Sequence, residues 1–157
     1  MSDIRVAITG SASALAVLEE RSSVASLGHL FGPHPYPSGD VLARWALVLQ
    51  DPDVTVLGAW DGDALVGFAA IDPVSLRHFG VSPERFGSGL ADELHGHVVE
   101  RWRAAGATRA EIWVLAENTR ARRFYERHGW TADGRAQESQ WPPYPVEVGY
   151  VLDVSTG

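Results

Sequence analysis

The residues whose types and spacing suggest chemistry begin with Gly87 and Gly89, in the stretch SLRHFGVSPERFGSGLA from Ser75 to Ala91. Its first half, residues 75–81, reads as a strand, and the glycines stand where a helix should begin. A strand entering a helix through a glycine turn makes an anion site. The first helical N–H groups lack partners, and the macrodipole adds partial positive charge. Glycine also permits φ > 0 and close approach of a ligand to the backbone. The chemistry predicted is the holding of a pyrophosphate. Gly-x-Gly alone is equally consistent with a tight turn and no ligand. The dinucleotide fingerprint needs a third glycine, and here Asp92 and Glu93 follow Ala91.

The second stretch is Asn118-Thr-Arg-Ala-Arg-Arg-Phe-Tyr-Glu-Arg-His-Gly-Trp130. Asn118 is a good helix cap and Gly129 sits just past the end. Ala121, Phe124, Tyr125 and His128 share one helical face; Arg120, Arg123 and Arg127 lie opposite. By periodicity alone this is an amphipathic helix with aromatic core residues and a solvated arginine face.

Composition narrows the function classes. The 157 residues are 45% hydrophobic and 21% charged, as expected of one globular domain over 1–157. No apolar run approaches the ~20 residues of a membrane span. The opening MSDIRVAITG lacks a basic segment followed by an apolar run, so no signal peptide and a cytoplasmic location are expected. The absence of cysteine excludes disulfides, thiolate zinc sites and a covalent thiol mechanism. The net charge is −7, and all thirteen basic residues are arginines. Such a chain is a poor nucleic-acid binder and is compatible with a small cationic substrate. His95 and His97 lie two apart in a predicted helix, so their side chains diverge, and no metal site is expected.

The elements that must position these residues follow in order. Residues 4–9 read as a strand, and Ser11 or Ser13 caps a helix to about Ser26. Three prolines and two glycines over 28–37 predict irregular chain. Ser38 caps a helix whose stripe is Val41, Leu42, Trp45, Val48 and Leu49; Asp51-Pro52 ends it. Strands over 54–60 and 64–71, joined at Asp61-Gly62-Asp63, form an antiparallel meander with 75–81. Residues 64–71 are apolar on both faces, hence central. Leu90, Leu94, Val98 and Trp102 give the next helix its packed face, and Gly106 suits its end. A strand spans 110–116, another is expected at 135–140, and 146–153 closes the sheet as an edge strand.

Together the two stretches resemble the GNAT superfamily of N-acetyltransferases, which use acetyl-CoA. The family's cofactor motif, Gln/Arg-x-x-Gly-x-Gly/Ala, falls on Phe86, Gly89 and Ala91. Its second motif matches Asn118, Ala121, Phe124-Tyr125-Glu126 and Gly129-Trp130. The resemblance implies a mixed α/β (α+β) fold, with a mostly antiparallel sheet of six to seven strands flanked by four helices. It implies acetyl-CoA as cosubstrate. Gly87, Ser88, Gly89, Leu90 and Ala91 would offer N–H groups to the pyrophosphate. The backbone of Phe79 to Val81 would pair with the pantetheine arm. Asn118 would contact that arm, and Tyr125 would stand near the thioester sulfur as general acid.

The sequence departs from the family pattern at Phe86, where Gln or Arg is usual, and at Ser88, where a basic residue is frequent. Arg85 is a substitute cation. Ser75 stands where several relatives carry a glutamate base. His78, Glu111, Glu117, Glu138 or a water chain are the alternatives. The loops expected to flank the acceptor carry His34, Tyr36 and Pro37, and Trp141, Pro142, Pro143 and Tyr144. Their aromatic groups suit a small amine (an amino sugar, an antibiotic, a polyamine or an amino acid) or serve as loop packing or a homodimer contact. Acetylation of a protein N-terminus or lysine, a non-catalytic acyl-CoA-binding module and a generic nucleotide-binding domain are the rival readings.

Overall fold

The computed structural model describes residues 3–31 and 33–155; Met1, Ser2 and Gly32 of the stretches above lie outside it. The chain runs β1 (Asp3–Val6), a 3-10 turn (Thr9–Ser11), α1 (Ala12–Phe31), α2 (Ser38–Gln50), β2 (Thr55–Asp61), β3 (Ala64–Ile71) and β4 (Leu76–Val81). A second 3-10 turn (Pro83–Arg85) leads to α3 (Leu90–Ala104), β5 (Arg109–Leu115), α4 (Thr119–Arg127), β6 (Thr131–Glu138) and β7 (Val146–Asp153).

The seven strands form two antiparallel sheets, ordered β1-β2-β3-β4 and β5-β7-β6. Between β4 and β5 there is one parallel bridge, Ser75 to Glu111, where the Glu111 N–H donates to Val74 O at 2.8 Å. Beyond that point the strands separate.

Alternation along β3 explains the layers. Phe68 and Ala70 face one side, with Leu15 and Leu18 of α1 and Val41, Trp45 and Val48 of α2. Ala69 and Ile71 face the other, with Leu94, Val98 and Trp102 of α3 and with Ile112, Val114, Tyr150 and Leu152 from the second sheet. A strand covered on both faces is apolar throughout, as the sequence of β3 predicts.

Three elements differ from the sequence reading. Helix α1 continues to Phe31 rather than Ser26, carrying Gly28 inside it; Pro33, not the glycine, marks its end. The expected strand at 135–140 begins earlier, at Thr131. The last strand is not an edge: β7 lies at the centre of its sheet, and polar, exposed β6 takes the edge. Order along the chain does not encode order across a sheet. The burial of Tyr150 and Leu152 and the polarity of β6 are the local signs of the true arrangement.

Candidate active site

The separation of β4 from β5 leaves two strand edges facing one another. On β4, the Ser82 N–H donates to Val66 O at 2.8 Å, and Gly80 and His78 are in register with Phe68 and Ala70 of β3. Peptide groups alternate along a strand, so those of Phe79 and Val81 turn toward the gap. On β5, the Ala116 N–H donates to Val146 O at 2.8 Å, so Trp113 and Leu115 likewise turn theirs toward β4. Such edges accept an extended, amide-bearing chain as an added strand.

The glycine turn lies at the end of β4. Gly87 has φ 76° and Gly89 has φ 89°, and Gly89 is the N-cap of α3. A Cβ at either position would meet nothing within 4 Å, so both backbones face open space. Leu90 and Ala91 begin the helix; their side chains, with Phe86, pack toward Val81. The Ser88 hydroxyl donates to Arg85 O at 2.6 Å. Arg85 is not available to an anion, because it is ion-paired with Asp61 on the β2–β3 hairpin. The guanidinium of Arg120 instead lies over the Phe86 ring, 3.6 Å from its centroid.

Helix α4 carries the phenol. Asn118 Oδ1 accepts the Ala121 N–H at 3.1 Å, the cap expected of it. The helix is then fastened to the second sheet. Arg122 Nε donates to Tyr150 Oη at 2.8 Å, Tyr150 Oη donates to Glu126 at 2.7 Å, and Arg122 Nη1 donates to Ala116 O at 3.0 Å. Tyr125 is 5% exposed, packed edge-on against Trp130, Phe124 and Phe79. Burial pushes its pKa up, so the phenol stays protonated.

A cleft of about 210 Å³ lies between the strand edges and α4; Phe79, Trp113, Leu115, Asn118 and Tyr125 line it together with α1, whereas Val81 and the glycine turn, residues 86–91, do not. The expected base positions fare unequally. Ser75 is locked at the closed end of the gap, bonded to Asp72 through its N–H at 2.7 Å and its hydroxyl at 2.6 Å. Glu111 lies there too, beside Arg109 and Arg135. Glu117 and Glu138 are exposed and do not line the cleft. His78 does line it, but its ring packs on Trp45 at 5.2 Å. Burial, then Arg44 and Arg77, lower its pKa to about 3, which makes it a poor proton acceptor.

The flanking loops are also corrected. His34, Pro37, Trp141, Pro142, Pro143 and Tyr144 do not line the cleft, and Tyr36 packs against the α1–α2 core. The wall comes from the body of α1, through Glu19, Ser22, Ser23 and Leu27. Glu19 accepts from Trp45 Nε1 at 2.7 Å and pairs with Arg44. The opposite lip carries Glu147 of β7, which accepts from Gln137 at 2.9 Å. Sequence reasoning missed both carboxylates, since neither stands in a motif and each reaches the cleft only through tertiary packing.

Comparison with known proteins agrees with this geometry. The family model described as "Acetyltransferase (GNAT) family" matches residues 18–130. A mycothiol acetyltransferase of Corynebacterium glutamicum is 32% identical over 136 residues, covering 79% of this chain and 47% of that protein. The chain thus spans about half the length of the curated relatives it matches first. Among solved structures, the ribosomal-protein-S18-alanine N-acetyltransferase of Escherichia coli superposes with a TM-score of 0.77 at 17% identity, over 100% of this chain and 96% of that one. The PaiA N-acetyltransferase of Thermoplasma acidophilum, in complex with coenzyme A, gives 0.76 at 14% identity, over 98% and 99%. With two matched motifs, a family model spanning more than half of its length and a relative 32% identical over 79% of it, the chain belongs to the acetyltransferase (GNAT) family.

Proposed function

We propose that the protein transfers acetyl from acetyl-CoA to the primary amine of a small molecule, by direct attack in a ternary complex. The observation that carries this reading is the buried, protonated Tyr125 on a cleft walled by two unpaired strand edges. The residues fit the cosubstrate. The turned-out peptides of Phe79 and Val81 suit its amide-bearing arm, with Asn118 beside them. The N–H groups at Gly87, Gly89 and Ala91 suit its diphosphate, while those of Ser88 and Leu90 donate to Arg85 O at 3.1 Å and to Ser88 Oγ at 3.3 Å.

In this mechanism the neutral amine nitrogen bonds to the acetyl carbonyl carbon. The carbon–sulfur bond then breaks, and Tyr125 supplies the proton or hydrogen bond the leaving thiolate needs. The proton lost by the amine returns to the phenol through water in the cleft. Holding both reactants in one geometry supplies much of the rate. Glu147 is the carboxylate at the lip that attracts the incoming ammonium, because Glu19 is already committed to Arg44 and Trp45. The ammonium loses one proton to solvent before the nitrogen attacks.

The relatives' names point to different acceptors, one mycothiol and one a ribosomal-protein alanine. The test is therefore thiol release from acetyl-CoA across a panel of amino sugars, polyamines, amino acids and alanine-ended peptides. Turnover with a small amine, and a KM for that amine raised about tenfold by Glu147→Gln, is expected. Coenzyme A binding without turnover on any amine would favour a non-catalytic acyl-CoA-binding module.

A further inference from the structure

The glycine turn lacks the side-chain cation its sequence would be expected to supply. Phe86 stands where the family pattern has Gln or Arg, and Arg85 is tied to Asp61. Two carboxylates near the turn are also committed: Glu84 pairs with Arg21, and Asp92 bonds to Arg127 and His128, each at 2.7 Å; Glu93 is exposed on the first turn of α3. Among the cations there is one exception, Arg120. Among the described residues it has no ion pair and no hydrogen bond, and its guanidinium carbon lies over the Phe86 ring, 3.6 Å from the centroid. It also sits in the first turn of α4, which has no acidic residue there, so its charge opposes that helix's own dipole.

We infer that Arg120, steered by Phe86, is the side-chain cation that binds the diphosphate of coenzyme A at the Gly87–Gly89 turn. Phe86 then has a positive role: its ring face holds the guanidinium through cation–π attraction, which leaves the N–H groups free to donate. A guanidinium matches phosphate oxygens bidentately, which the missing Gln or Arg would otherwise do from the turn itself. The inference rests on the acetyl-CoA reading above.

The experiment measures dissociation constants at low ionic strength for coenzyme A, 3′-dephospho-coenzyme A and pantetheine. Arg120→Ala should weaken the first two about tenfold and leave pantetheine unchanged. Phe86→Leu should weaken them by a smaller factor. Introducing Phe86→Arg into the Arg120→Ala background should restore binding, which a merely structural role for Arg120 would not allow. Equal loss for pantetheine, or no rescue, would overturn the assignment. Loss confined to coenzyme A would move Arg120 to the 3′-phosphate and overturn the diphosphate contact. If the unsubstituted protein binds no coenzyme A, the parent reading fails instead.

Discussion

At the scale of single residues, Tyr125 and His78 show how burial selects chemistry. Both border the cleft, and burial disfavours the charged form of each. For the phenol this preserves the proton it has to offer. For the imidazole it removes the basicity that would have made it a catalyst. Tyr125→Phe should therefore lower kcat by about 10²-fold, the usual scale for a lost acid catalyst. The dissociation constant for coenzyme A should change less than threefold, because the ring packing against Trp130 and Phe79 is kept. Steady-state kinetics with calorimetry separate the two, and an unchanged kcat would remove Tyr125 from the acid role.

At the scale of elements, the glycine turn and the start of α3 form one unit. Gly89 is in the left-handed region, where a side chain costs about 1–2 kcal/mol. Its missing Cβ points into open space, so Gly89→Ala strains the backbone without a steric clash inside the protein. The expected result is a urea midpoint lowered by that energy and a coenzyme A affinity lowered at least tenfold, since the methyl would stand where the diphosphate is to lie. Equal affinity in the substituted protein would place the anion elsewhere. Helix α4 is held differently. Its N-terminus is capped by Asn118, and its flank is bound through Arg122, Glu126 and Tyr150. The position of Tyr125 is therefore set by the second sheet, while the glycine turn is set by the first.

At the scale of the whole molecule, the buried His95 and the partly buried His78 link the fold to pH. His95 lies between α3 and α4, with its Nε2 accepting the Trp130 N–H at 3.0 Å. Burial, then the neighbouring His128, lower its pKa to about 4, against the opposing pull of Asp92. His78 is lowered to about 3 between α2 and β4. An unfolded histidine titrates near ~6.5, so the unfolded chain binds more protons than the folded one below that pH. The stability these rings provide is full above pH ~6.5 and declines as pH falls toward the folded values. At about 1.4 kcal/mol per pH unit for each ring, the loss from pH 7 to 5 should be roughly 2–4 kcal/mol. Urea unfolding at the two pH values measures it, and the slope should shrink in His95→Gln. A flat profile would mean that both rings titrate normally in the folded protein.

Much of this organisation was legible along the chain. The meander β2-β3-β4, the capped helix from Asn118 and the glycines before α3 each depend on residues close in sequence: alternation, capping chemistry and positive φ. Local rules also yield the two motifs, and so the family. What they could not yield is which strand neighbours which. The β5–β7 hydrogen bonds that put β7 at the centre of its sheet join residues far apart in the chain, as does the bridge between β4 and β5, whereas β6 and β7 pair as a local hairpin. The cleft is a product of the divergence of β4 and β5. For the same reason Glu19 and Glu147 carry no sequence signal, Ser75 and Glu111 were plausible until they fell at the closed end, and Arg120 read as one more solvated arginine. Sequence alone determined the chemistry available, namely an anion turn, a phenol and no thiol. The tertiary structure decided which charged groups meet the phenol, because only packing brings a helix flank and a strand lip to one cleft.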